Sequence, residues 1–337
     1  MTTDSQLRGA LLEEAILYLL RKSGYNPVLR AAGDPTLQNG SSGLEVKGRG
    51  SWHQIDAIAD FKLTPPFSNP QRLFIEAKYY ADSIGLPIVR NSAGVLKDVS
   101  ENWVVDTGGT QNIAKKRFHY LSAVFSTSNF TKPAQDYAYA QDIYLLPLRH
   151  SMFFLPVIRA IDQVSLDGVE VKPKLKAIRH FVRRELFDDY EPDFDAQLEG
   201  IELRGPLLRI VNTCREQSFG FIAMFGAQFP AFLIASPEFN PEQQHQSIVV
   251  RIRCRDRNWF IEDINGRQIF SFDLPENIFA LYAERGRLGA HTIASIKSDI
   301  MREFYAFYNN GEELRLLHFK LDEAWFEAIQ RNLRERN

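Results

Sequence analysis

The sequence predicts an α/β protein: a mixed sheet flanked by helices, followed by a separate α+β domain. Three observations carry this. Residues 5–24 repeat apolar side chains at helical spacing. Residues 44–80 hold strand-length apolar runs around a proline-rich turn. Residues 121–148 read as strand, helix, strand. The chain has 337 residues, a length that suits two domains. The expected division is 1–160, a connector at 161–200, and 201–337.

In the first helix, Leu7, Leu11, Ala15 and Leu19 form a stripe that Leu12, Ile16 and Leu20 widen. Gly24 stops it after Arg21 and Lys22. Glu14 reads as a solvated residue, whereas Glu13 borders the stripe and is able to point into a cleft. Residues 33–43, GDPTLQNGSSG, are a loop by composition. LEVKGRG, WHQIDAIADFK and RLFIEAKYY then read as an antiparallel meander. LTPPFSNPQ is excluded from a central strand because its prolines lack a ladder donor. A helix is expected within 98–120, leading to Lys115, Lys116 and Arg117. LSAVFSTS, TKPAQDYAYAQD and IYLLPL follow as a parallel strand pair with a helical crossover, Thr131 serving as N-cap and Pro133 lying in the first turn.

The connector holds an amphipathic basic helix, LKAIRHFVRREL. Its cations, with Lys174, suit either DNA or the acidic segment that follows. From 201 to about 283 strand patterns dominate, and RIRCRDR places Arg251, Arg253 and Arg255 on one face, read as a solvated outer sheet face. From 288 onward the chain reads as mostly helical. Target recognition, dimerisation or regulation by a protein or ligand are the roles expected of this half.

Composition excludes several classes. The net charge of −2 steers no partner, since residues 1–160 carry +3 and residues 161–337 carry −5. Cys214 and Cys254 make neither a disulfide framework nor a zinc-ligand spacing, and read as small buried hydrophobes in a reducing compartment. No apolar run approaches the ~20 residues of a membrane span, and the N-terminus lacks a signal core. The expectation is a cytoplasmic protein without membrane contact.

The chemistry-bearing feature is charge inside apolar strands. Glu76 and Lys78 share a strand face by the period of two, and Asp56 lies on the neighbouring strand. Should the register bring Asp56 beside Glu76, two carboxylates and an ammonium converge. Close carboxylates repel unless a cation sits between them. Hard oxygen ligands of this kind suit Mg²⁺ or Mn²⁺. A lysine beside the metal orients or deprotonates a water and stabilises developing phosphorane charge. The chemistry that fits is metal-assisted phosphodiester hydrolysis.

Asp56 followed by Glu76-Ala77-Lys78 resembles the signature of the PD-(D/E)xK nuclease superfamily. RGALLEEAILYLLRKSGY, HQID with FIEAKYY, and VFSTSNFTKPAQDYAYAQDIYLLPL are similar to its Mrr-like restriction endonuclease branch, over residues 5–150 or so. The resemblance implies a restriction-endonuclease-like core and a Mg²⁺- or Mn²⁺-dependent endonuclease acting on DNA in defence against foreign DNA, with homodimers common. It further implies metal ligation by Asp56 and Glu76, with Glu13 completing the site and Lys78 assisting the attacking water. Ile55 stands where the family motif has proline. The alternatives are a structure-selective repair nuclease and a non-catalytic DNA-binding or assembly subunit with a nuclease-like core. Secondary candidates are Gln54, on the face of Asp56, and Lys47 and Arg49, in a glycine-rich stretch able to meet a phosphate backbone. Lys115 and Lys116 are candidates for a DNA groove, and Trp52 for base stacking. Asp60 lies ~13 Å further along the strand than Asp56, too far to share a metal.

Overall fold

Helix α1 (Asp4–Lys22) is buried on nearly every side from Ala10 to Leu20, including Glu13 and Glu14. Thr3 caps it: its hydroxyl accepts the Gln6 N–H, and the Gln6 side chain accepts the Thr3 N–H. A helix apolar all round needs cover on two sides. One side is a sheet and the other is a layer of helices from residue 155 onward.

The structure is a computed structural model. It describes all residues except 1, 32, 41–42, 103–104, 107–112, 115–117, 149–150, 152–153, 171, 191–200, 217–220, 227–228, 237, 244–246, 256–257, 275–288, 310–312 and 336–337. The chain divides into two units. The first is Met1–Arg149 with Leu155–Gln217, and the second is His150–Phe154 with Ser218–Asn337.

The first unit continues with β1 (Tyr25–Pro27), β2 (Leu37–Asn39), β3 (Leu44–Lys47), β4 (Trp52–Ile55), β5 (Ala57–Phe61) and β6 (Gln71–Lys78). Next come α2 (Leu86–Ser100), the two-residue strands β7 (Val105–Asp106) and β8 (Ile113–Ala114), β9 (His119–Ser126), α3 (Lys132–Ala140) and β10 (Ile143–Pro147). Helices α4 (Leu155–Asp162), α5 (Leu175–Leu186) and α6 (Ile201–Glu216) complete it. The main sheet runs β1-β5-β6-β9-β10. Its β1, β5 and β6 pair antiparallel, while β6, β9 and β10 pair parallel. This is the mixed sheet expected, with the parallel strand–helix–strand unit in place. Helix α1 packs on β1, β5 and β6, and α2 and α3 pack on β9 and β10.

The proposed meander is in fact split. β2, β3 and β4 form a separate three-stranded sheet, and the chain passes from it into the main sheet at Asp56. The helix expected within 98–120 lies earlier, at Leu86–Ser100, where Val89 and Val99 are buried and Ile88, Val95 and Leu96 pack against the core. Lys115, Lys116 and Arg117 fall outside the described residues.

The domain boundary also moves. The stretch read as a connector contributes α5, and α4, α5 and α6 all pack on α1 within the first unit. Val157, Ile158, Ile161, Ile178, Phe181, Val182, Leu207, Ile210 and Val211 are buried there. The physical reason is the apolar far side of α1, which the sheet alone leaves uncovered.

The second unit, expected as a separate α+β domain, is a mostly-β closed barrel with flanking helices. Its strands are β11 (Phe221–Phe225), β12 (Phe229–Ala235), β13 (Ser247–Arg255), β14 (Asn258–Asp263), β15 (Gln268–Asp273), β16 (Glu303–Asn309) and β17 (Leu314–Leu321). They close in the order β11-β12-β15-β14-β13-β17-β16. Helix α7 (Ala290–Ile300) precedes β16, and α8 (Glu323–Glu335) follows β17. The stretch after 288, expected to be mostly helical, therefore carries two barrel strands between its helices. β16 alternates buried Phe304 and Ala306 with outward Glu303 and Tyr305, and its pairing with β11 and β17 closes the barrel. Ring contacts among Phe225, Phe270, Phe304 and Phe319 fill the interior. The arginine stripe of β13 is partly neutralised: Arg251 pairs with Asp322 at 2.9 Å and Arg253 with Glu262 at 2.7 Å. Among the described residues, no helix is long and apolar enough to cross a membrane.

Candidate functional site

The register of β5 against β6 decides the site. Ala57 pairs with Ile75, so Asp56, one residue before, stands opposite Glu76. Asp56 sits on the bend between β4 and β5. Its Oδ2 accepts the Ala77 N–H at 3.0 Å and lies 3.2 Å from Lys78 Nζ. Lys78 Nζ also lies 2.5 Å from Glu76 Oε1. One ammonium therefore spans both carboxylates. The side chains of Asp56, Glu76 and Lys78 are 21 %, 22 % and 18 % exposed, which leaves the group desolvated yet reachable. Burial and the Asp56 charge push the Glu76 carboxyl above its ordinary value, against the pull of Lys78.

Glu13 joins from α1. Burial pushes its carboxyl up to about 7, with Arg179 pulling it down and Asp56 adding to the rise. Arg179 Nη1 lies 2.5 Å from Glu13 Oε2. That contact is a short ion pair made through a single guanidinium nitrogen. Glu14, read from sequence as solvated, has a side chain with no exposure and takes Arg183 Nε at 2.7 Å and Arg179 Nη1 at 3.3 Å. The basic helix thus faces the α1 glutamates with two of its arginines. Arg179 is one of the cations that the sequence places on the basic helix LKAIRHFVRREL, without fixing what it faces. The available signal was a pair of glutamates inside an apolar helix, which demand cations from elsewhere.

Glu13 gives a pH prediction. Its folded pKa lies above that of an unfolded glutamate, so the native state binds the proton more readily. Stability is then lost as pH rises from about 4.5 to about 7, and Glu76 acts in the same direction. Glu13→Gln is expected to remove up to about 3 kcal/mol of that fall. Urea unfolding at pH 5 and pH 8 measures it, and an unchanged pH slope would contradict the assignment.

The secondary candidates divide. Gln54 lines a recess of about 20 Å³ with Glu76, Asn91, Ser92 and Ser122. It shares a face of β4 with Trp52, whose ring lies beneath the Lys47 ammonium at 5.9 Å. Asn91 and Ser92, on α2, were missed because no helix was assigned there. The glycine-rich loop does not offer its amides to a phosphate. Asp98 occupies it: Gly50 N donates to both carboxylate oxygens at 3.0 and 3.2 Å, and His53 Nε2 lies 2.7 Å from Oδ2. A Cβ on Gly48 would collide with that carboxylate, which is why glycine stands there. Arg49 pairs with Glu101 at 2.9 Å on an exposed surface. Asp60 is held by Arg72 at the other end of β5. A larger cavity of about 600 Å³ lies at that end, lined by Arg30, Asp60, Lys62 and Tyr190 among others, and none of the clustered acids lines it.

Among the described residues, no three His, Cys, Asp or Glu groups stand together as a preformed cation cage. Lys78 and Arg179 hold the interacting positions instead.

No family model matches this chain, and no curated protein matches it. A crystal structure of a protein of unknown function, AF1548, is similar over 61 % of this chain and 96 % of that chain, at 14 % identity and a TM-score of 0.33. A likeness that slight carries no argument about function.

Proposed function

We propose that this chain is a divalent-metal-dependent endonuclease that hydrolyses DNA phosphodiester bonds, built on a restriction-endonuclease-like core in its first unit. The observation that carries the reading is the convergence of Asp56, Glu76 and Lys78 where β5 meets β6, with Glu13 brought in by α1. The donor chemistry fits a hard cation. Asp56 and Glu76 stand opposite each other, and burial together with the Asp56 charge raises both Glu76 and Glu13, so a cation between them would relieve the repulsion. Asp56 and Glu76 would hold the ion, with Glu13 as third ligand. Bound there, Mg²⁺ or Mn²⁺ supplies Lewis-acid polarisation of the phosphoryl oxygen and a more acidic water.

The protein's own groups do the rest. Asp56 is fixed by the Ala77 amide, so its carboxylate does not swing away. Lys78 Nζ is held within reach of both acids, where it can orient the attacking water or donate to developing negative charge. Trp52, Lys47 and Gln54 extend one face of β4 and its neighbour toward the Glu76 recess, a surface suited to stacking and to backbone contact. Defence against foreign DNA, the biological setting proposed with this activity, rests on the family resemblance alone.

The test is cleavage of supercoiled plasmid and short single strands with Mg²⁺, Mn²⁺ or EDTA, comparing wild type with Asp56→Asn. Cutting is expected to require metal and to vanish in the variant. Cutting that survives EDTA or Asp56→Asn would sink the reading.

A further inference from the structure

Helix α5 brings a residue to the acids that the motif does not include. Ile178, Phe181 and Val182 bury one side of the helix, while Arg179 and Arg183, one turn apart, face the α1 glutamates. The two arginines differ. Arg183 gives Nε to Glu14 Oε2 and Nη1 to the Leu29 carbonyl, which makes it a structural tie. Arg179 places Nη1 alone between Glu13 and Glu14, and its Nε and Nη2 carry no hydrogen bond among the described residues. Its side chain keeps 19 % exposure, and the Asp56 charge acts on it.

We propose that Arg179 is a phosphate-binding residue parked on Glu13, and that it leaves Glu13 when a nucleic-acid phosphate arrives, so that phosphodiester and divalent cation bind cooperatively. This rests on the nuclease reading for the identity of the ligands. The argument is one of competition. A cation ligated by Glu13 and the Arg179 guanidinium compete for the same carboxylate, and two positive charges do not share it without repulsion. The existing contacts run through Nη1 alone, so the rest of the guanidinium fork is unused where it stands. A guanidinium fork matches a phosphate in two parallel hydrogen bonds, which Glu13 does not supply here. Once Arg179 moves to phosphate, Glu13 is open to the cation, and by linkage each ligand tightens the other by the same factor.

The experiment is calorimetric titration with Mn²⁺, with and without a phosphorothioate duplex that resists cleavage, for wild type, Arg179→Met, Arg179→Lys and Asp56→Asn, with circular dichroism as the fold check. In wild type the duplex is expected to lower the Mn²⁺ Kd by about tenfold. Arg179→Met is expected to bind Mn²⁺ several-fold more tightly than wild type without duplex, with little further gain on adding it. Arg179→Lys keeps the charge and loses the fork, so its Mn²⁺ affinity without duplex should stay near wild type while the duplex effect shrinks. It also serves should Arg179→Met fail to fold. Mn²⁺ binding that Asp56→Asn abolishes, but that responds to duplex equally in wild type and the Arg179 variants, overturns this proposal and leaves the nuclease reading standing. No Mn²⁺ binding in wild type or Arg179→Met, with or without duplex, removes both.

Discussion

Lys78→Ala is expected to lower metal-dependent cleavage by about 10³-fold while leaving cation binding in place. The ammonium lies 2.5 Å from Glu76 and 3.2 Å from Asp56, so it touches both proposed ligands without being one. Its own ionisation is raised by those two charges against the cost of burial. Removing it leaves two neighbouring carboxylates with no cation between them. Glu76, already raised, then takes up a proton more readily in the metal-free protein. The variant should therefore be less stable without metal and should recover stability when Mn²⁺ is added, because binding to the native state alone shifts the folding equilibrium. Lys78→Arg keeps charge but replaces a compact ammonium by a bulkier planar group that does not fit between the two carboxylates in the same way, and should remain strongly impaired. Single-turnover cleavage with parallel Mn²⁺ titration separates the cases. Cleavage within a few-fold of wild type in Lys78→Ala would make Lys78 a counter-ion only.

Arg72→Met is expected to destabilise the first unit by about 3–5 kcal/mol, near 10 °C in melting temperature, with the cleavage residues untouched. Arg72 is 2 % exposed in the middle of the network that joins β6, β5 and the loop before β2. Nε and Nη2 grip Asp60 at 2.7 and 2.8 Å, Nη2 lies 2.8 Å from Asp34 Oδ2, and Nη1 donates to Thr36 Oγ1 at 3.2 Å. The guanidinium lies 3.7 Å from the centre of the Phe118 ring. Methionine fills the volume but strands two half-buried carboxylates. The cost arises from those orphans more than from the lost attraction. Arg72→Met combined with Asp60→Asn should thus recover part of the loss, a coupling that a double-mutant cycle reads directly. A loss under about 1 kcal/mol in the single variant would mean that water reaches the carboxylates freely enough to replace the guanidinium.

Local periodicity made much of the first unit legible. The α1 stripe, the Lys132–Ala140 helix between its strands, and the shared face of Glu76 and Lys78 follow from spacings of 3.6 and 2 that neighbours in sequence fix by themselves. The apolar runs flanking LTPPFSNPQ marked β5 and β6 because prolines cannot continue a ladder. Two features misled. WHQIDAIADF reads as one strand, yet the chain changes sheets at Asp56, and a bend of that kind has no periodic signature. The stretch from Glu303 to Leu321 reads as an extension of helical sequence, yet its alternating aromatic residues become strands because the barrel edges between β11 and β13 need partners.

What the sequence determined by itself was the stock of chemistry: an Asp, an E-x-K strand, two glutamates in an apolar helix, and a helix rich in arginine. What only the tertiary structure decided was which of these are neighbours. Glu14 is solvated or fully buried according to whether α5, 165 residues on, packs against it. Asp60 is a spare acid or half of a buried clasp according to the strand register that sets Arg72 opposite. The glycine loop is open to a phosphate or closed over Asp98 according to where α2 lies. The reason is the same in each case. Charge interaction and desolvation depend on distance in space and on access to water, and neither quantity is written in the separation of two residues along a chain.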